Sequence, residues 1–169
     1  MGVEKRSFFK KMFKFTEENQ KKFDDLLTKY PNKQAALLPT LWLAQKQHGH
    51  LPLDVQEYVA NILDLSPVHV RGVVSFYTMY KEKPVGKYHL QVCRTISCAL
   101  NGCEKLVRHL DEKYRLKHGE VTKDGKFSLE LVECLASCGT GPVVQVNETY
   151  VENVTTDKLD QLVSELAKK

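Results

Sequence analysis

Four of the five cysteines in this 169-residue chain fall into two pairs, Cys93/Cys98 and Cys134/Cys138. The first pair has the form C-x4-C and the second C-x3-C. Thiolates are soft ligands, and four of them at one point suit a structural zinc or an iron–sulfur cluster. A C-x-x-C dithiol is absent, which weighs against thiol–disulfide exchange. The fifth cysteine, Cys103, follows Gly102 at the start of a helical pattern. A helix N-terminus lowers a thiol pKa, so a reactive group is conceivable there; we expect instead a small buried residue beneath the loop. Cys98 rather than Cys103 is expected as the second ligand, because Cys103 should already be turning away into the helix.

Both pairs follow runs with strand character. Tyr88, Leu90 and Val92 alternate with His89 and Gln91, which predicts a half-buried strand ending at Cys93. Phe127, Leu129 and Leu131 alternate likewise and lead to Cys134. Between them, Leu106, Val107 and Leu110 share one helical face, followed by a Lys/Gly/Asp-rich stretch over 117–126. Strand, helix, strand of this length predicts a parallel pair with a right-handed crossover. The C-terminal ends of parallel strands lie at the same sheet edge, so all four sulfurs can converge there. Pro142 to Val146 reads as a third strand, turned at Asn147-Glu148 into a hairpin with Tyr150 and Val151. Thr155-Thr156-Asp157 caps a last helix with Leu159, Leu162, Val163 and Leu166.

The first half reads as four short helices. Thr16 or Glu17 opens one that ends near Tyr30-Pro31. Asn32 is expected to cap a second, stopped by Gly49 and kinked by Pro39. A third follows Leu51-Pro52. Ser66-Pro67 opens a fourth, with Ser66 as N-cap and Pro67 at the first helical position. The expected organisation is a basic flexible tail (1–15), a helical bundle (16–80), a linker (81–87) and an α/β domain (88–169) with a small mixed sheet.

Composition narrows the function. The net charge of +4 and 27% charged residues describe an ordinary globular chain rather than a nucleic-acid binder. No run approaches the ~20 apolar residues of a membrane span. The start, MGVEKRSFFKKMFKF, lacks the continuous apolar core of a signal peptide. A reducing compartment is therefore expected, where spaced cysteines serve metals more often than disulfides. The segment from Leu51 to Tyr77 can be drawn as a helix-turn-helix, but its second helix offers only His69 and Arg71 among Val68, Val70, Val73 and Val74, a face for burial against protein. His48 and His50 read as a solvated pair. No G-x-G-x-x-G fingerprint accompanies the cysteines, so nicotinamide binding by this chain is not expected.

The surroundings of the cysteines lean towards a cluster. Gly139 and Gly141 would let backbone N–H groups approach the sulfurs. Ile96, Ala99, Leu100, Leu135 and Ala136 would form an apolar rim. Glu133 reads as an exposed carboxylate at the end of its strand. Cys93-Arg-Thr-Ile-Ser-Cys98, followed by Glu133-Cys134-Leu-Ala-Ser-Cys138-Gly-Thr-Gly-Pro142, resembles the thioredoxin-like [2Fe–2S] ferredoxin family. Within it the chain looks like the E-type subunits in the peripheral arm of NADH:quinone oxidoreductase, respiratory complex I. Gly72-Val-Val-Ser-Phe-Tyr77 matches that group's helical signature, and the likeness runs from about residue 16 to 169.

The resemblance implies a fold, a thioredoxin-like α/β domain after a helical bundle. It implies one [2Fe–2S] cluster per chain, held by Cys93, Cys98, Cys134 and Cys138. It implies a partner subunit carrying FMN and binding NADH, other peripheral-arm subunits, and a quinone as final acceptor. Related subunits serve NAD-linked hydrogenases and formate dehydrogenases. The chain itself would be an electron carrier, with no catalytic acid, base or nucleophile. Its place would be cytoplasmic, peripheral to the inner (plasma) membrane through the complex. Phe76, Tyr77 and Tyr80 are expected to be exposed apolar residues that pack on the flavin-bearing partner or on the second half of the chain.

Overall fold

The computed structural model describes residues 13–169. The tail expectation for residues 1–12 lies outside the described residues. Residues 13–15 are not a free tail. Phe13 and Phe15 stand edge-on to the Tyr58 ring at centroid distances of 5.2 and 5.3 Å, and the Phe15 N–H donates to Tyr58 Oη at 3.2 Å. Gln47 Nε2 donates to the Lys14 carbonyl at 2.7 Å. Aromatic side chains carry a large apolar payload, and here that outweighs the fraying expected of a basic terminus.

The chain divides into two compact units, one up to Pro84 and one from Val85 to Lys169. The first unit holds α1 (Glu17–Lys29), α2 (Leu37–His48), α3 (Leu53–Leu63) and α4 (Pro67–Phe76). Thr16 caps α1, its hydroxyl accepting from Asn19 N at 3.3 Å, and Glu17 and Glu18 sit where the helix dipole favours acids. Asn32 does not cap α2. Its Oδ1 accepts from Ala35 N in a separate turn, and the helix begins five residues later. Pro39 therefore falls in the first turn of α2, where a missing N–H costs no helical bond. Gly49 ends α2 at φ 93°. Pro67 opens α4 as anticipated, but Ser66 makes no side-chain capping bond. Leu41, Leu51, Val55, Val59, Leu63 and Val70 are fully buried and form this unit's core. Burying side chains of this size stabilises by roughly 1.5–3 kcal/mol each before the entropy of ordering is counted.

Two expectations for α4 and its sequel change. Val68 stays 80% exposed, because only Val70 and Val74 of the valine set point fully inward. Tyr80 is buried at 5%, and its hydroxyl donates to the Leu38 carbonyl at 2.8 Å, while Phe76 and Tyr77 remain exposed. Burial holds the Tyr80 phenol well above its ordinary pKa.

The second unit runs β1 (Tyr88–Cys93), α5 (Ile96–Leu100), α6 (Cys103–Tyr114), β2 (Phe127–Val132), a 3-10 turn (Cys138–Thr140), β3 (Val144–Val146), β4 (Thr149–Val151) and α7 (Thr156–Ala167). The mixed sheet has the order β2-β1-β3-β4. β1 and β2 are parallel; β3 is antiparallel to both β1 and β4. β1 is buried along both faces rather than one, since its polar His89 and Gln91 are each only 7% exposed. His89 is satisfied there by Ser128 Oγ at 2.8 Å and Glu130 Oε2 at 2.9 Å. Gly86 lies so close to β2 that a Cβ would come within 2.4 Å of the Phe127 carbonyl carbon. Its N–H donates to Ser128 Oγ at 2.9 Å. Among the described residues, no helix is long and apolar enough to cross a membrane.

Candidate metal centre

The parallel register pairs Cys93 with Val132 at the C-terminal ends of β1 and β2. Cys134 lies two residues beyond that pair. Cys98 sits in α5, in the loop that leaves β1, and Cys138 opens the 3-10 turn in the loop that leaves β2. α5, which the periodicity did not disclose because it is only five residues long, packs against that turn. Both cysteine pairs thus emerge at one sheet edge.

Cys93 and Cys98 are buried, at 2% exposure each, while Cys134 and Cys138 are exposed. All five cysteines are free thiols. The Cys93 thiol lies 3.2 Å from Thr95 Oγ1 and donates to the Glu133 carbonyl at 3.3 Å, so it touches the residue next to Cys134. The Ala136 N–H donates to Cys134 Sγ at 3.3 Å. Burial pushes the Cys93 thiol up. Hydrogen bonds from the Thr95 hydroxyl and amide, the Leu135 amide and Cys98 outweigh burial and leave it below the ordinary thiol value. Burial raises the Cys98 thiol, opposed by the Val143 amide and aided by Cys93. Cys103, 1% exposed at the head of α6, is raised by burial, then by the neighbouring charges of Cys93 and Glu104. It is the buried residue expected of it, not an activated nucleophile.

Among the described residues, no three His, Cys, Asp or Glu side chains stand close enough together to enclose a metal ion. The donor set nevertheless fits a thiolate-bound group. The Ala136 N–H donates to the Cys134 sulfur, the Thr95 hydroxyl lies 3.2 Å from that of Cys93, and the backbone N–H groups of Thr95, Leu135 and Val143 favour the deprotonated form of Cys93 and Cys98. Such donors stabilise the deprotonated sulfur that a metal requires. Gly139 and Gly141 are expected to let backbone N–H groups approach the sulfurs. Gly141 contributes instead through its missing side chain, since a Cβ there would sit 3.2 Å from Cys98 Sγ. The apolar rim is partial: Leu135 is buried, but Ile96 and Leu100 are 74% and 80% exposed.

Two polar contacts beside the cysteines had no advance signal in the sequence. Arg94, the residue after Cys93, donates through Nε (3.1 Å) and Nη2 (2.5 Å) to Glu133, the residue before Cys134. The pair spans the ends of β1 and β2 from exposed positions, where its contribution to stability is small. Glu152, beyond β4, accepts from the Ser137 and Thr140 hydroxyls on either side of Cys138.

Comparison with known proteins bears on this arrangement. The family model for the thioredoxin-like [2Fe–2S] ferredoxin matches residues 23–167. The E subunit of NADH-quinone oxidoreductase from Rickettsia bellii (strain RML369-C) is 44% identical over 157 residues, covering 91% of this chain and 94% of the relative. The second such E-type chain of Rhizobium meliloti (strain 1021) is 44% identical over 135 residues, 80% of each chain. Among solved structures, the NAD+-reducing [NiFe]-hydrogenase in its air-oxidized state superposes with a TM-score of 0.65 at 16% identity. That match covers 76% of this chain but only 22% of the hydrogenase chain, and it shows the fold alone. The chain belongs to the thioredoxin-like [2Fe–2S] ferredoxin family.

Proposed function

We propose that Cys93, Cys98, Cys134 and Cys138 hold one [2Fe–2S] cluster, and that the chain is the iron–sulfur subunit of an NADH:quinone oxidoreductase. The observation that carries this reading is the β1/β2 register, which brings both cysteine pairs to one sheet edge. Relatives at 44% identity, matched over 94% and 80% of their own lengths, support the choice of enzyme. When bound, such a cluster takes up and returns one electron at a time.

The chain's own residues prepare the edge for that task. Burial of Cys93 and Cys98 keeps water from their sulfurs. The amides of Thr95, Leu135, Val143 and Ala136 hold negative charge on sulfur without adding a formal cation. Arg94 offsets the Glu133 carboxylate beside two of the ligands. Electron exchange needs no proton donor. The electron partner in this reading is the FMN of an NADH-binding subunit, and other peripheral-arm subunits would hold the chain at the membrane surface. The helical unit, with Phe76 and Tyr77 exposed on and after α4, would serve that assembly.

Anaerobic purification of the full chain tests the proposal. The expected product is brown, contains two irons and two sulfides per chain, and gives a low-temperature EPR signal after reduction. A colourless protein with one zinc per chain would replace this reading with a zinc-stapled interaction module.

A further inference from the structure

The turn that carries Cys138 is held from a distance by one carboxylate. Glu152 Oε1 accepts from Thr140 Oγ1 at 2.7 Å and also from Ser137 Oγ. Ser137 Oγ and Thr140 Oγ1 also lie 2.6 Å from each other, so the two hydroxyls and the carboxylate oxygen form one closed triangle with two protons to share among its edges. Ser137 precedes Cys138 and Thr140 closes its turn, so the carboxylate grips the turn on both sides of the cysteine. The chain around Glu152 is anchored in the same place. Asn153 N donates to the Thr140 carbonyl at 2.7 Å, Val154 N donates to the Pro142 carbonyl at 3.0 Å, and Lys158 Nζ donates to the Glu152 carbonyl at 2.7 Å. The two hydroxyls hold the Glu152 carboxyl below the usual carboxylate range. Cys138 itself is exposed and opens a turn of three residues, so little apolar packing fixes its position.

We infer that Glu152 is a positioning residue for Cys138: it fixes the 137–140 turn so that this sulfur meets the other three. The inference rests on the cluster reading above. Glu152 touches no cysteine, and its action passes through Ser137 and Thr140. Without it the two hydroxyls keep only water and the contact they already make with each other at 2.6 Å, and the turn samples other conformations. A thiolate that must be recaptured after each excursion lets the cluster go sooner. Groups hydrogen-bonded directly to a metal ligand typically alter affinity by about 10- to 100-fold, and Glu152, one step further out, belongs at the lower end of that range.

The test uses the full chain, reconstituted anaerobically with iron and sulfide, and follows loss of the visible circular-dichroism signal in the presence of an iron chelator. Glu152→Ala should release the cluster about tenfold faster or more and should broaden or shift the EPR signal of the reduced protein. Glu152→Gln, whose amide oxygen still accepts from both hydroxyls, should recover most of the wild-type rate and signal. The double variant Ser137→Ala/Thr140→Val, which keeps Glu152 and removes its donors, should reproduce the effect of Glu152→Ala. A purely structural role would instead lower the unfolding temperature of the cluster-free chain without changing the EPR line shape. Wild-type release rates and EPR spectra in both Glu152→Ala and the double variant would overturn the inference while leaving the cluster reading intact. Failure of the wild-type chain itself to take up iron and sulfide would remove the cluster reading first.

Discussion

Gly141→Ala tests the cluster geometry with a single methyl group. Gly141 has φ −68° and ψ 154°, which any residue adopts, so the substitution introduces no backbone strain. The added Cβ would lie 3.2 Å from Cys98 Sγ, 3.6 Å from Cys98 Cα and 3.8 Å from the Cys138 carbonyl oxygen. Non-bonded heavy atoms are comfortable at about 3.5–4.0 Å, so the sulfur must retreat by roughly 0.3 Å or more. In the cluster-free chain Cys98 can turn about χ1, at a cost of about 0.5–1.5 kcal/mol. A sulfur bound to metal has no such freedom, because ligand distances tolerate only about ±0.2 Å. The overlap should therefore fall on the loaded state, at the roughly 1–3 kcal/mol of an overpacked site. That corresponds to about 5- to 150-fold weaker retention. Cluster loss to a chelator, followed by visible circular dichroism, reads the effect directly, and thermal melts of the cluster-free chain supply the control. Wild-type retention in Gly141→Ala would refute the reasoning, as would an equal destabilisation of the cluster-free chain.

The remaining predictions concern the other cysteines, a close packing point and an ion cluster. Cys98→Ser should abolish or strongly alter the EPR signal, whereas Cys103→Ser should keep it and cost only stability, about 1–3 kcal/mol for an unpartnered hydroxyl in a buried position, read by urea titration. Gly86→Ala should destabilise the second unit by at least about 1–3 kcal/mol, because its Cβ meets the Phe127 backbone at 2.4 Å and backbone cannot swing aside. A fall in melting temperature of about 4–8 °C per kcal/mol should follow. Asp160 accepts from Lys113 Nζ, Tyr114 Oη and His109 Nε2 at 2.6–2.7 Å between α6 and α7, and these bonds hold its carboxyl well below the usual carboxylate range. A depressed folded pKa means that its stabilising contribution is complete above the unfolded value, near 3.8, and fades as pH falls below it. Asp160→Asn should therefore be less stable than the wild type at pH 7, and the difference should shrink on acidification below pH ~4; a gap that stays constant with pH would count against the assignment.

Much of the second unit could be read from local pattern. β1 and β2 both showed apolar alternation, Thr155 announced its helix, and Asn147-Glu148 announced the hairpin, since each signal lies within a few residues of the structure it sets. The α2 boundary escapes local reading because Asn32 has good capping chemistry in either setting. Only the turn bond to Ala35 shows that the helix starts later and leaves Pro39 harmless. Tyr80 resembles an exposed aromatic because nothing near it in sequence reveals the Leu38 carbonyl that its hydroxyl reaches. The second buried face of β1 is hidden for a similar reason: His89 and Gln91 look solvent-facing until Ser128 and Glu130 arrive from β2.

The sequence by itself determined the chemistry available at the sheet edge. Four thiols follow two strand patterns joined by a helix, and parallel pairing of such strands is a consequence of chain connectivity. The tertiary structure alone decided how that edge is furnished. It brought the Ala136 amide to Cys134, pressed Gly141 against Cys98, and brought Glu152 to the Cys138 turn from 12 and 15 residues away. Hydrogen bonds and close contacts between segments distant in sequence depend on distances of a few ångströms that arise only once the core has packed, and no local periodicity encodes them.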